Sequence, residues 1–259
     1  MQNNNEKRCL IGMPCGSGFV SAYVVDGLYK MTRPIGTSLL IIERQAVDSA
    51  RNYLMEVAIR MGVDYLMFID DDGVLPADTL EKMLEDDKDF VAAPVMTRAE
   101  RKNGKHALCC FEKYDFYIGD GRTVKKYRSI EKFDTEKGYL QSVDAVGGAC
   151  MLLKREVCEA LFKKHNGRPF EFLHEIYETK EHGVTVRNIS EDLCFSERAR
   201  EEGFEIYIDT RIRPVHLGKP KFVRFEQEGE NLPPMGSEIK GGTVLSENLK
   251  LPEKEIVKK

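Results

Sequence analysis

Tyr65-Leu66-Met67-Phe68-Ile69-Asp70-Asp71-Asp72 is the stretch on which the reading of this chain turns. Five apolar residues without a polar interruption predict a strand buried on both faces. That strand delivers three carboxylates to its own C-terminal edge, and the flanking sequence holds no Lys or Arg to neutralise them. In open α/β sheets ligands bind at the carboxyl ends of the strands, so a divalent cation is the natural counter-charge. Side chains alternate along an extended segment. Asp70 and Asp72 are therefore expected to point the same way, with Asp71 as the spacer of an Asp-x-Asp pair. The plainer alternative is a solvated turn in which Asp72-Gly73 begins a loop and Asp78 caps the next helix. Three Asp in a row behind five apolar residues favour the cation site.

Upstream of this strand, residues 9–14 predict a first strand that ends in a Gly/Pro turn, followed by the flexible loop Cys15-Gly16-Ser17-Gly18. That loop lacks the spacing of a dinucleotide or P-loop fingerprint. Residues 20–30 predict a helix and residues 39–42 a short buried strand. Apolar residues at Ala46, Val47, Ala50, Leu54, Val57, Ala58 and Met61 recur with a helical period, so the opening half reads as βαβαβ. Downstream, a helix over 77–84 precedes a strand over 90–95. The polar, aromatic stretch 98–138 predicts antiparallel hairpins around Gly104 and Gly119-Asp120-Gly121. Strands over 140–146 and 149–153 flank a tight turn at Gly147-Gly148. Helices follow over 156–164 and 191–202, the latter ended by Gly203, and then a strand over 205–209. From Lys219 onward apolar anchors are few, which predicts a folded domain over 1–218 and a partly disordered tail over 219–259.

The 259 residues are 42% hydrophobic, enough for a substantial core. A net charge of −4 with dispersed basic residues argues against a nucleic-acid surface. The seven cysteines show no Cys-x-x-Cys spacing and several lie in apolar runs, which predicts reduced, packed thiols in a cytosolic compartment. Cys109-Cys110 reads as one buried and one exposed strand residue rather than a metal or redox pair. No apolar leader opens the chain and no transmembrane segment is predicted. The expectation is a cytoplasmic protein that meets a membrane only peripherally.

Five segments, in order, resemble the GT-A type of nucleotide-sugar glycosyltransferase, of the family-two-like group. They are Ala50-Arg51-Asn52, Phe68-Ile69-Asp70-Asp71-Asp72, Gly147-Gly148-Ala149-Cys150-Met151-Leu152, Ser190-Glu191-Asp192-Leu193 and Val215-His216-Leu217-Gly218. The resemblance spans residues 8–218. It implies an α/β fold, a GT-A-like Rossmann-type mixed sheet flanked by helices, with a smaller antiparallel acceptor-side portion. The implied activity is metal-dependent transfer of a sugar from a nucleoside diphosphate sugar to an unidentified acceptor: a glycan, lipid, protein or small molecule. By the family pattern Asp72 ligates Mn²⁺ or Mg²⁺, Asp70 faces the ribose or the metal, and His216 is a further ligand. Carboxylate with imidazole suits Mn²⁺. Pro14, Arg44, Arg51, Asn52, Asp70, Asp71, Gly147 and Gly148 fall to donor binding, and Asp144 is a further candidate for the donor sugar hydroxyls.

Asp192, with Glu191 second, is the implied general base for an inverting transfer, since that work needs only a carboxylate within reach of the acceptor proton. In a retaining enzyme the same carboxylate would position the acceptor. Structural roles compete at several of these positions. Arg51 and Arg44 read equally as solvated cations, Glu191-Asp192 as ordinary N-terminal carboxylates of a helix, and Gly147-Gly148 as a hairpin turn. His216 stands out from His106, His165, His174 and His182 because it follows Pro214 in a loop and precedes Gly218.

Two other functions compete. Residues 68–74 also resemble the Asp-x-Asp-Gly loop of haloacid-dehalogenase-type phosphatases, with Asp70 as nucleophile and Asp72 as general acid beside Mg²⁺. That family begins with this strand, whereas here two βα units come first. A non-catalytic nucleotide-sugar-binding protein is the alternative from outside enzymes.

Overall fold

The apolar run at 65–69 forms a strand because both of its faces have a core to enter. Tyr65, Met67 and Ile69 join one hydrophobic cluster, Leu66 and Phe68 the other, and none is more than 6% exposed. The protein is described by a computed structural model over residues 7–98, 100, 104–117, 123–179, 183–217 and 222–224. The chain runs β1 (Arg8–Cys15), α1 (Ala22–Lys30), β2 (Gly36–Glu43), α2 (Val47–Met61), β3 (Tyr65–Ile69), β4 (Gly73–Val74), α3 (Thr79–Glu85) and β5 (Phe90–Ala92). Then come β6 (Cys110–Tyr117), β7 (Thr123–Ser129), β8 (Leu140–Val143), β9 (Ala145–Val146), β10 (Cys150–Lys154) and α4 (Arg155–Lys164). The remaining elements are β11 (Leu173–Thr179), β12 (Gly183–Ile189), α5 (Glu191–Glu201), β13 (Ile206–Asp209), β14 (Val215–Leu217) and β15 (Phe222–Arg224).

A seven-stranded mixed sheet of order β2-β1-β3-β10-β5-β13-β8 carries the fold. β1, β2 and β3 are parallel, as the βαβαβ pattern predicts. β10 is then inserted antiparallel between β3 and β5. The α2, α4 and α5 residues Leu54, Met55, Val157, Leu161 and Phe195 cover one face; Val24 and Leu28 of α1 with Leu80 and Met83 of α3 cover the other. Ser21 caps α1 by accepting from the Tyr23 amide, and α2 ends where Gly62 takes a left-handed φ of 62°. Three small antiparallel sheets, β7-β6-β9, β15-β14-β4 and β11-β12, surround this frame. The α/β class, with a flanked mixed sheet and a smaller antiparallel portion, is the architecture expected.

Several local expectations change. β2 is buried only at Ile42: among the described residues it is an edge strand paired with β1 alone, and Leu39 is 46% exposed. The strand expected over 140–146 divides at Asp144, because β8 pairs with β13 while β9 pairs with β6. The β6–β7 hairpin bears out the antiparallel prediction for 98–138, although Gly119-Asp120-Gly121 lies outside the described residues. The β11–β12 hairpin was not legible, since charged residues interrupt its alternation. Phe222–Arg224 pairs with β14 within the segment expected to be a tail, and from residue 225 that expectation, like His182 and Gly218, lies outside the described residues. All seven cysteines are free; Cys109 is half-buried and the others are buried, with burial pushing Cys9 and Cys150 up to about 12. No helix among the described residues is long and apolar enough to cross a membrane.

At the far end of the sheet Arg211 joins two buried carboxylates, with Nη2 2.8 Å from Asp209 Oδ2 and 2.9 Å from Asp86 Oδ1. Burial, and then the charge of Asp209, pushes Asp86 up to about 7 against the pull of Arg211. The folded state thus holds this proton more tightly than the unfolded chain does. The associated stability is complete below about pH 4 and is lost as pH rises to about 7. Asp86→Asn is expected to flatten the fall in unfolding free energy between about pH 4 and about pH 7, as measured by urea unfolding at each pH. An unchanged slope in the variant would place the dependence elsewhere.

Candidate functional site

Antiparallel insertion of β10 decides what meets the acidic cluster. Cys150, the first residue of β10, pairs with Ile69, the last of β3. The residues that precede β10 therefore lie beside the residues that follow β3, and the Asp70 amide donates to Ala149 O at 3.1 Å. The Gly73 amide then returns to Asp70 O at 3.2 Å, so 70–73 is a turn rather than the extended segment expected. The three carboxylates consequently fan out. Asp71 remains the odd one, accepting from Ser17 Oγ at 3.2 Å in the loop after β1.

Asp70 turns inward to Arg51, whose Nη2 donates to Asp70 Oδ1 at 2.8 Å. The other guanidinium nitrogen, Nη1, donates to Glu191 Oε1. Arg51 lies in the first turns of α2 and is 2% exposed, so the solvated-cation alternative does not hold for it. Its guanidinium occupies the space in which a Cβ at position 148 would stand, so Gly148 is required by close approach. The Phe170 ring lies 5.9 Å away. Burial would lower the Arg51 pKa, but Asp70, Glu191 and Asp192 together raise it. Burial also raises Asp70 and Glu191, with Arg51 opposing the rise in both.

Asp72 has other partners. The pairing of β14 with β4 sets His216 opposite Gly73, and the Leu217 amide donates to Asp72 O at 2.8 Å. His216 Nδ1 lies 2.6 Å from Met96 O, which fixes it as the protonated nitrogen, and Nε2 faces Asp72 Oδ1 at 3.1 Å. Arg98, 62% exposed at its side chain, reaches Asp72 Oδ2 at 2.7 Å. Burial opposes the Asp72 charge, yet the His216 bond and the Arg98 charge hold it below the usual carboxylate range. Burial likewise opposes the His216 charge, but Asp72 and the Met96 carbonyl raise its pKa.

Asp192 stands on the far side of the Gly147-Gly148 turn. Its Oδ2 accepts from the Gly148 amide at 3.3 Å, while Oδ1 accepts from the Leu193 amide at 2.8 Å and from Ser190 Oγ. A Cβ on Gly147 would stand 2.8 Å from Cys109 Cβ and 3.5 Å from Asp192 Oδ2. Glycine at both positions thus lets a single turn pass between Arg51, Cys109 and Asp192.

The remaining candidates divide. Pro14 is buried near the end of β1 opposite Ile42. Arg44 holds a positive φ of 54°; its amide donates to Cys15 O at 3.0 Å and its side chain lies against Gly18. Both border the loop that Asp71 touches. Asn52 is not brought to the cluster: it grips the Phe170 backbone with two 2.9 Å bonds. Asp144 is likewise elsewhere, bonded to the Lys113 amide at 2.7 Å and paired with Arg200 at 3.2 Å. Among the described residues no three His, Cys, Asp or Glu are assembled as a metal-binding group; Asp70 lies on Arg51, which leaves Asp72 and His216 as a pair. Sequence reasoning missed Arg98, Cys109 and Ser17 as neighbours of the site, and no local pattern marks the first two.

No family model matches the chain, and no curated protein matches it. Among solved structures it is similar to protein A197 from STIV, at 16% identity and a TM-score of 0.53, covering 88% of this chain and 99% of that one. A point mutant of UDP-glucose pyrophosphorylase from Leishmania major matches at 10% identity and a TM-score of 0.40, over 80% of this chain and 63% of that one. The first likeness speaks to fold alone, and the second is too slight to bear on either fold or function.

Gly148→Ala tests the packing directly, because the guanidinium it would strike is held by carboxylates at both ends. Breaking a buried ion pair costs about 3–5 kcal/mol, and a loss of that order is expected in denaturant unfolding. A loss below about 1 kcal/mol would mean that Arg51 can move aside.

Proposed function

We propose that this protein is a metal-dependent glycosyltransferase that moves a sugar from a nucleoside diphosphate sugar to an acceptor hydroxyl. The observation that carries the proposal is the antiparallel register of β10 on β3, which sets the Gly148 amide held by Asp192 beside the acidic turn whose last carboxylate, Asp72, meets His216. Such a transfer requires a cation at the departing diphosphate and a carboxylate within reach of the acceptor proton.

The donor set suits Mn²⁺ or Mg²⁺. In His216, Nδ1–H is given to Met96 O and Nε2–H to Asp72 Oδ1; loss of the Nε2 proton would give a cation beside Asp72 a lone pair on a ring already oriented by its Met96 bond. Such a cation supplies Lewis-acid stabilisation to the departing diphosphate. Asp72 and His216 hold it, and Arg98 is free to move from Asp72 Oδ2 into solvent or onto a phosphate oxygen. Asp71, Ser17, Pro14 and Arg44, gathered at the ends of β1 and β2, would be the residues to meet the nucleoside. Asp192 takes the proton from the acceptor hydroxyl. Glu191 is the weaker candidate because its carboxylate is committed to buried Arg51. The phosphatase alternative needs Asp70 as a free nucleophile, and the Arg51 bond to Asp70 Oδ1 speaks against that.

Thermal unfolding against a panel of nucleoside diphosphates, each with and without Mn²⁺, tests the proposal. One diphosphate is expected to raise the melting temperature only with the metal, by the equivalent of about 2.7 kcal/mol at a hundred times Kd. Asp72→Asn and His216→Ala should abolish the shift. Stabilisation by phosphomonoester mimics with Mg²⁺ and by no diphosphate would favour the phosphatase instead. Once a donor and acceptor are known, Asp192→Asn is expected to keep the donor-induced shift while transfer falls by about 10²–10⁴-fold. An Asp192→Asn enzyme of undiminished rate would remove Asp192 from the role of base.

A further inference from the structure

We infer that Arg51 is a positioning residue that withholds Asp70 from the metal, so that the chain offers a divalent cation Asp72 and His216 but not the first carboxylate of its acidic triplet. The inference rests on the metal-dependent reading of Asp72 and His216 and departs from the expectation that Asp70 is a metal ligand.

Two arginines bind two carboxylates of the same triplet, and they differ in freedom. Arg51 is 3% exposed at its side chain, whereas Arg98 is 62% exposed. Arg51 is gripped at both ends, by Asp70 and Glu191, and its face is closed by the backbone of Gly148. If Asp70 left for a cation beside Asp72, Glu191 would still pair the Arg51 charge, but the Nη2 donor would be stranded where water cannot reach, and a buried donor without an acceptor is unfavourable. Arg98 can leave Asp72 for solvent at little cost, because an exposed pair gains little from its contact. One half of the triplet therefore has a permanent counter-ion and the other an exchangeable one.

The consequence is a device for coupled binding. Affinity for a hard divalent cation rises with the number of carboxylates around it. With Asp70 withheld, Asp72 and His216 alone make a weak site, and the oxygens of a diphosphate complete it. Metal and donor then bind together, each raising the affinity for the other.

Mn²⁺ binding to the full chain without nucleotide, followed by electron paramagnetic resonance, tests this apart from any activity. Asp70→Asn should leave the Mn²⁺ affinity within about twofold of the parent, whereas Asp72→Asn should abolish binding. Arg51→Gln frees Asp70 and should tighten binding by about tenfold or more, and Arg51→Gln/Asp70→Asn should return it to the parental level. Weakening by Asp70→Asn comparable to that of Asp72→Asn would overturn the inference. So would a folded Arg51→Gln protein with no gain. Should Arg51→Gln fail to fold, the contrast between Asp70→Asn and Asp72→Asn decides. A parent that binds Mn²⁺ only once a nucleoside diphosphate is added fits the weak two-residue site, and one that binds none even then removes the metal reading; in either case an Asp70-dependent site created by Arg51→Gln supports the withholding role and its absence refutes it.

Discussion

Arg51 has no solvent to retreat to, and the organisation of the candidate site follows from that. A guanidinium 2% exposed must find acceptors inside the protein, and it finds Asp70 from the end of β3 and Glu191 from the start of α5. Its planar face needs room that a side chain at 148 would fill. One cation on α2 thereby fixes the strand end, the turn before β10 and the first turn of α5 relative to one another. A buried ion pair is weak evidence of net stability, since desolvation offsets much of the attraction, but removal of one member leaves a charge with nowhere to go.

The sheet delivers those groups to a common edge by a topological device. Had β10 run parallel to β3, residues 147–149 would lie at the opposite end of the sheet from Asp70. Because it runs antiparallel, the Gly147-Gly148 turn and the acidic turn share an edge. The β4–β14 pairing adds His216 from a segment 144 residues away in sequence from Asp72. The site therefore draws on distant parts of the chain while each contribution is set by a backbone register, and backbone registers hold side chains more narrowly than loops do.

Much of the frame was legible in the sequence because it rests on local periodicity. The run 65–69 is apolar throughout because both faces are buried, and the α2 apolar positions repeat with the helical period. What was not legible depended on partners. Leu39-Leu40-Ile41-Ile42 carries no mark of an edge strand, and nothing at Asp144 announces that β8 and β9 enter different sheets. Arg51 looked as much like a surface cation as a site residue, since its burial is a property of Glu191 and Gly148, about a hundred residues or more downstream. Asn52, beside it, falls to the donor region by resemblance, yet the structure gives it to the Phe170 backbone. Alternation correctly set Asp71 apart, but the turn at 70–73 sends Asp70 and Asp72 to different partners.

The proposed function requires the end of β3 to bind a divalent cation and a nucleoside diphosphate together. Crystals grown with Mn²⁺ and the diphosphate, measured for anomalous scattering from manganese, address it directly. One strong peak is expected between Asp72 and His216 Nε2, beside the diphosphate, with Asp70 still on Arg51. A diphosphate bound away from this edge, or a manganese peak with no contact to Asp72, would contradict it.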